Sequence, residues 1–478
     1  MENDDQNQFA TAPTIASTPP SPELKPKMKL WKKILLSLIV LIVVVGIGIY
    51  FLPSILTLIH PGDAVLIDNS LLTMQKVSVP DQDNGFYDLS KITTTMINVP
   101  TNDQKVAFDL EYTDSTKPVQ WNQQLVDQVL NQNQQALNLF AAGADKGHIQ
   151  VPQYADPINI NLNTELPTMN SWRSAARLQA IKALSLSFQG KSDQALLEAV
   201  KLNKVGHNLI DGHNSLIGTL VGIAIQQLGS QTTLRILPYN NPSKQSLETS
   251  KATIQNSSDN LEGYRNAFRF EYLNVTRGID IVNSQLEAEI RQLVEDGSVS
   301  PQYAKYAKYG YYYKPNQTKN LYIDLYNTEV AAVGTSCQLL DLEVKLNKIQ
   351  NQIVDQVSSW KVVFMENAIG KILYTMSGVS LGAALNKECQ NDLISNVAQI
   401  EIALSQYKID NGQLPNTLSE LTPQYLTSVP LDPFDHQPIR YSATKRILYS
   451  VGLKNQDLGG SEGIDWIKMD NPTFKLSF

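Results

Sequence analysis

The side chains able to do chemistry are few and scattered. The five histidines are His60, His148, His207, His213 and His436. None stands in a His-x-x-x-His pair, and the two cysteines, Cys337 and Cys389, form no Cys-x-x-Cys motif, so no zinc-ligand spacing is present. His207 and His213 come nearest to a pair, in "HNLIDGH" at a predicted helix end and its loop. Carboxylates recur in "RFEY" (Arg269 to Tyr272) and "LEAEIRQLVED", at helical spacing that ordinarily gives solvated faces or ion pairs. No phosphate loop, nucleophile elbow or kinase signature occurs. The two acids of a glycoside hydrolase are set in space, not by sequence spacing, so a hydrolase acting on an envelope polymer stays open. The stretch "YAKYAKYGYYYKP", Tyr303 to Pro315, either binds glycans or single strands through its rings or caps a helical hairpin.

The elements around these residues begin with a membrane signature. Residues Met1 to Pro26 are rich in Pro, Ser and Thr with little to bury, which predicts a disordered tail. "KMKLWKK" leads into "ILLSLIVLIVVVGIGIYFL", Ile34 to Leu52, a run without a charge. As a helix it covers about 28 Å, enough to cross the hydrocarbon core. It is too long for a signal-peptide core, and "PSILTLIHPG" offers no small-x-small cleavage site, so the run reads as an uncleaved anchor. Lys25, Lys27, Lys29, Lys32 and Lys33 precede the span and the next lysine is Lys76, which places the N-terminus in the cytoplasm and the body outside. In an oxidising compartment Cys337 and Cys389 either pair or remain two buried thiols. A net charge of −7 argues against a nucleic-acid partner.

Beyond the anchor the periodicity is mostly helical. "VQWNQQLVDQVLNQNQQALNLFAAGA" reads as one helix, with Trp121, Leu125, Val129, Leu137 and Leu139 among its apolar positions. From Ser171 two helices join at "QGKSD" as an antiparallel hairpin, with Ser192 as the expected N-cap of the second. "GKSDQAL" looks like a tetratricopeptide turn, but no ~34-residue recurrence follows. "SLIGTLVGIAIQQLGSQTTLRIL" is too short in its apolar part to span a bilayer and is broken by Gln226 and Gln227, so it is expected in the core. Leu339, Leu342, Leu346, Ile349 and Ile353 alternate by three and four, a seam expected to bury within an intramolecular bundle.

The last part carries a resemblance. Leu393, Val397, Ile400, Leu404 and Tyr407 form one stripe of a helix expected from about Lys387, ended by Gly412 and blocked by Pro415. Thr417 and Glu420 fit a capping box, "VPLDPFDHQP" a proline-fixed loop, and "IRYS" with "RILYSVG" a β-hairpin that sets Ile439 and Tyr441 against Ile447 and Tyr449 or their neighbours. Through "ALSQYKIDNGQLP", "LTPQYLTSVPLDPFDHQPIRY" and "LYSVG" followed by "GGSEGID", residues 386–467 resemble the globular domain of the type II secretion major pseudopilin. The resemblance implies a helix packed on a small antiparallel sheet. It also implies a terminal loop able to bind calcium, here through Ser450, Asp457, Glu462 and Asp465, although Lys454 falls near where the family places an acidic ligand. The prepilin processing signature is missing from "KMKLWKKILLSL", and more than three hundred residues separate the apolar helix from this unit.

The expectation is therefore a mainly α chain. Residues 1–33 form a tail, 34–53 a single transmembrane helix, 54–170 a mixed region and 171–385 an extracytoplasmic helical hairpin or bundle domain. Residues 386–478 form an α+β pseudopilin-like domain. The expected role is a non-enzymatic interaction or scaffold component at the bacterial inner membrane, with envelope, secretion-system or pilus-assembly proteins as partners. The alternative is the extracytoplasmic hydrolase.

Overall fold

The computed structural model describes residues 30–60, 62–97, 121–161, 167, 169–238, 241–298, 310–335, 337, 351–355, 362, 364–377, 381–461 and 466–477. Residues 1–29 of the expected tail, the seam residues Leu339 to Ile349 and residues 303–309 of the tyrosine-rich stretch lie outside them, whereas residues 30–33 of that tail are helical. The chain divides into two units, Met1–Ile59 and His60–Phe478.

In the first unit α1 (Leu30–Ile59) is one helix of 30 residues. Its side chains from 37 to 48 are all exposed. Among the described residues no helix is long and apolar enough to cross a membrane; the side chains described in α1 fall in stretches shorter than a span.

The second unit is mainly helical with one small sheet. Its first helices are α2 (Phe86–Thr95), α3 (Gln123–Gln132) and α4 (Gln134–Asp145). The single helix expected here is thus two. Buried Asn133 breaks it, at φ −107° and ψ 16°, donating its amide to Val129 O at 3.0 Å and accepting from Ile97 N at 2.8 Å. The side chain thereby satisfies backbone groups of two segments, which an uninterrupted helix would not do.

The central layer is α5 (Met169–Phe188), α6 (Ser192–Asp211) and α7 (Leu216–Ile236), the predicted hairpin and core helix. Leu178, Ile181 and Leu184 of α5 are buried, as are Leu196, Val200, Leu202 and Val205 of α6. The expected N-cap differs: Lys191 stands at the cap position, and Ser192 is the first helical residue with its buried hydroxyl unpaired among the described residues. Asp193 instead reaches out of the first turn, accepting from Ser243 N and Ser246 Oγ at 2.7 Å each. Those residues open α8 (Lys244–Asn256), so a tertiary contact replaces the local cap. Ser215 caps α7 by accepting from Gly218 N.

Helices α6 and α7 approach so closely that a side chain is excluded between them. A Cβ on Gly206 would lie 2.6 Å from Gly222 O and 2.5 Å from Gln226 Cβ. Around this layer pack α9 (Leu261–Glu295), α10 (Pro315–Ala332), α11 (Ala368–Ser377) and α12 (Leu381–Asn411). α12 starts before Lys387 because the preceding "LGAAL" is mostly good helix-forming sequence. Its stripe Leu393, Val397, Ile400 and Leu404 is buried, and it packs on α7 and α8. Gly412, at φ +73°, ends it. Cys337 and Cys389 are joined in a disulfide with Cα atoms 6.0 Å apart.

The sheet is β1 (Arg440–Ser442), β2 (Ile447–Tyr449) and β3 (Thr473–Lys475), antiparallel in that order. The hairpin register pairs Arg440 with Tyr449 and Tyr441 with Leu448. β3, not read from the sequence, adds Phe474 opposite Leu448, both fully buried. These two residues belong to one apolar cluster with residues of α6 to α10 and α12, so sheet and helices share a core.

Gly206→Ala is expected to destabilise the protein by about 2 kcal/mol, because backbone must move to admit the methyl group. A urea titration with a lowered midpoint and an unchanged slope checks this; an unchanged midpoint would show that the two helices separate without loss.

Candidate functional site

The proline-fixed loop and the sheet build one charged centre. Asp432 is fully buried. Its Oδ1 accepts from Ser450 Oγ at 2.9 Å and Phe434 N at 3.1 Å; its Oδ2 accepts from Val451 N at 2.9 Å and Arg440 Nη1 at 3.0 Å. Arg440 also donates to both oxygens of Asp435, and its Nε stands 3.8 Å from Asp457 Oδ2. Burial pushes the Asp432 carboxyl up, against the pull of the Phe434, Val451 and Ser450 hydrogen bonds. Burial also opposes the charge of Asp435, but Arg440 and the Gln437 amide outweigh it and hold that carboxyl below its usual range.

This centre contains two of the four residues named for calcium. Ser450 is buried with its hydroxyl proton directed at Asp432, and Gly452 N donates to the same oxygen at 3.0 Å. Asp457 faces Arg440 and accepts from Gly459 N at 2.9 Å. Glu462 and Asp465 lie outside the described residues. Lys454 pairs with Asp470 at 2.8 Å. Among the described residues no group of three or more His, Cys, Asp or Glu could hold a metal ion. Of the four named for calcium, the two described face other partners: Ser450 donates to Asp432, and Asp457 stands beside the Arg440 guanidinium. Arg440 and Asp432 were not singled out in the sequence. The only local signal was the Asp-Pro-x-Asp spacing of "LDPFD" with an arginine beyond it.

The histidines are not brought together by hydrogen bonding. His207 Nδ1 lies 2.9 Å from Asn260 Oδ1, and His213 Nε2 lies 3.2 Å from Asn266 Nδ2. His60 packs its ring 5.5 Å from that of Tyr311. In "RFEY", Arg269 pairs with Glu262 and donates to Leu71 O, while Glu271 accepts from Leu216 N at the start of α7. Tyr311 and Tyr313 of the tyrosine-rich stretch are buried, and Tyr311 OH donates to Phe364 O.

Beside the charged centre lies a cleft of about 180 Å³ between α12 and the terminal loops, lined among others by Asn386, Gln390, Phe434, Lys454, Lys468 and Asp470. Its one carboxylate, Asp470, is the partner of Lys454. Two converging acids are therefore not found among the described residues of this cleft.

Acids that burial raises further lie on α10 and α12. Glu329 is fully buried, and neither carboxylate oxygen has a partner among the described residues. Burial pushes it up to about 7. Burial likewise raises Glu388, with the charge of Asp392 adding to it and the Gly334 amide and Arg265 opposing. Asp392, partly exposed by area but crowded by protein, is pushed up to about 7 by desolvation. Buried Asn391 bridges this region, donating to Gln226 Oε1 at 2.6 Å and Tyr264 OH at 3.1 Å. Gln226, which looked like an interruption in an apolar helix, also accepts from Asn260 at 3.1 Å and so ties α7, α12 and the start of α9 together.

No family model, no curated protein and no solved structure matches this chain.

Two measurements test these assignments. Arg440→Ala leaves Asp432 buried without its cation and is expected to cost about 3 kcal/mol. Melting with saturating calcium and with a chelator tests the calcium expectation: binding to the folded form raises the melting temperature, and an unchanged value removes it. Separately, a buried acid whose folded pKa is raised stabilises the fold below its unfolded value and loses that contribution as pH climbs through the folded one. Glu248 and Asp193 act oppositely: hydrogen bonds from Gln406 and Ser246 respectively lower them, and their contribution is lost on acidification. Stability should peak near about pH 5 and decline toward about pH 8, with Glu329 alone giving about 3 kcal/mol of the fall. Thermal melts across this range should show a flatter profile for Glu329→Gln, and an equal slope in both proteins would refute the assignment.

Proposed function

We propose that the chain is a single-pass membrane protein whose body stands outside the cytoplasm as a non-enzymatic scaffold or interaction component of the bacterial cell envelope. Its C-terminal unit is pseudopilin-like and links it to type II secretion or pilus-like machinery. The observation that carries the reading is α1: one uninterrupted helix through the charge-free run, with apolar side chains exposed around its described length. The disulfide suits an oxidising compartment. The order of α12, the Gly412 stop, the Thr417–Glu420 capping box, the proline loop and the antiparallel sheet supports the pseudopilin-like part. Because α12 is built into the core of the helical body, this unit reads as a module of a larger scaffold, not a filament subunit.

Protease added to intact spheroplasts should digest the body and leave a short membrane-protected N-terminal fragment. A body that survives until lysis would overturn the orientation. Cross-linking in whole cells followed by purification should recover secretion or pilus-assembly components, and recovery of none would remove the link to that machinery.

A further inference from the structure

The cleft beside the charged centre has walls fixed in place and amide groups that no described residue answers. One wall is α12, from which Asn386 and Gln390 line the cleft one turn apart. Gln390 is only 6% exposed; its Oε1 accepts from Lys387 Nζ at 3.0 Å, and its Nε2 has no partner among the described residues. The Asn386 side chain makes no hydrogen bond among them, and its Oδ1 is buried. Another boundary is the buried ring of Phe434, whose N donates to Asp432 Oδ1 at 3.1 Å. The disulfide ties these two parts: Cys389 precedes Gln390, and Cys337 N donates to Pro433 O at 3.0 Å. The remaining wall is made by the loops around Gly452 and Asp470. Gly452 stands at φ +62°, and a Cβ there would lie 2.5 Å from Asp470 O, so the loops are in direct contact. Asn471 holds them by donating to Val451 O at 3.2 Å and Gln456 O at 2.7 Å. They bring Leu453 and Ile467, both exposed, and half-buried Met469 to the cleft.

We propose that this cleft binds an extended peptide segment of a partner protein, one apolar side chain entering against Phe434, Ile467 and Met469 while the peptide units beside it hydrogen-bond to Asn386 and Gln390. Size limits the guest. At about 180 Å³ the cleft is smaller than the roughly 300–1,000 Å³ of cofactor and drug-sized sites, whereas a cavity of roughly 150 Å³ admits a benzene-sized group. One side chain therefore fits and a cofactor does not. Hydrogen bonding selects peptide over a plain apolar guest, which would leave both amides unanswered. A peptide carries a carbonyl acceptor and an N–H donor immediately beside each side chain, and a side-chain amide offers the complementary pair. The carboxylate lining the cleft, Asp470, already pairs with Lys454 at 2.8 Å, so an interior segment suits it better than a chain end bearing an ammonium. Walls held by hydrogen bonds and a disulfide lose little freedom when the guest enters. The inference gives the interaction component a binding site, but it stands on residues of the second unit alone, so a failed protease experiment leaves it intact.

The test uses the detergent-solubilised full chain and N-acetyl-leucinamide, one apolar side chain between two uncharged peptide units, followed by saturation-transfer NMR. Ile467→Trp, at an exposed lining position, fills the cleft and controls for uptake of the probe by detergent; Leu453→Trp does the same should the first variant fail to fold. The wild-type protein should transfer saturation to the leucyl methyl groups with about millimolar affinity, and the filled variants should not. N-acetyl-glycinamide, which lacks the side chain, and isoamyl alcohol, which lacks the peptide units, should each bind about tenfold more weakly. Gln390→Met, which keeps the volume and removes the donor, should weaken N-acetyl-leucinamide about fivefold and leave isoamyl alcohol unchanged. Equal transfer in wild-type and filled proteins overturns the site. Isoamyl alcohol binding as well as N-acetyl-leucinamide overturns the peptide in favour of a plain apolar guest. Tighter binding of N-acetyl-leucinate than of the amide overturns the interior segment in favour of a chain end.

Discussion

The close approach of α6 and α7 at Gly206 and Gly222 is the constraint on which the body depends. Interaxial distance follows from the side chains at a contact, and here each helix sets a glycine against the other, with Gln226, Leu209 and Ile210 closing around them. The approach sets α7 deep in the molecule, where its three remaining sides meet α5, α9 and α12. It also places Gln226 one turn beyond Gly222, where its side-chain oxygen accepts from both Asn260 and Asn391. A bulkier contact would move that amide outward and leave buried donors on two other helices without acceptors, each at a cost of about 1–3 kcal/mol.

The polar interior is consistent with a chain of low charge and high amide content. Asn84, Asn133, Asn203, Gln226, Asn260 and Asn391 are all buried, and each has a hydrogen bond to a residue remote in sequence. Apolar packing tolerates rearrangement, whereas a buried amide tolerates little, because its partners must lie at fixed distances and angles. These side chains therefore select one arrangement of helices that apolar stripes alone would leave degenerate.

Local periodicity made α5, α6, α7 and the stripe of α12 legible, and local chemistry made the Gly412 stop and the Thr417–Glu420 capping box legible. What was hidden depended on partners far along the chain. Asn133 breaks a helix because Ile97 needs its oxygen; Ser192 fails as a cap because Asp193 is drawn toward α8; β3 exists because β2 has a free edge. The charged centre was hidden for the same reason. Ser450 and Asp457 drew notice as oxygen donors, but whether they face a metal or a guanidinium depends on Arg440, delivered by a strand whose register no local rule specifies.

The two sets of buried acids show different answers to the same electrostatic problem. Around Arg440 the carboxylates of Asp432 and Asp435 are matched by a cation and by amide donors, which pull against burial and for Asp435 outweigh it. Glu329 has no described partner to offset burial, and for Glu388 the Gly334 amide and Arg265 only oppose it, so burial holds both carboxyls above their usual range. The Cys337–Cys389 disulfide lies at this second place: Cys389 follows Glu388, and Cys337 is three residues beyond Gly334, whose amide opposes the rise of Glu388. With its ends 52 positions apart in sequence, the cross-link removes roughly 4 kcal/mol of chain entropy from the unfolded state in the loop-closure account. That is comparable to the about 3 kcal/mol that ionising Glu329 takes away. The joint between α10 and α12 is thus held by a covalent bond where its electrostatics are weakest, and a compartment that preserves the bond lets the body tolerate the pH of its surroundings.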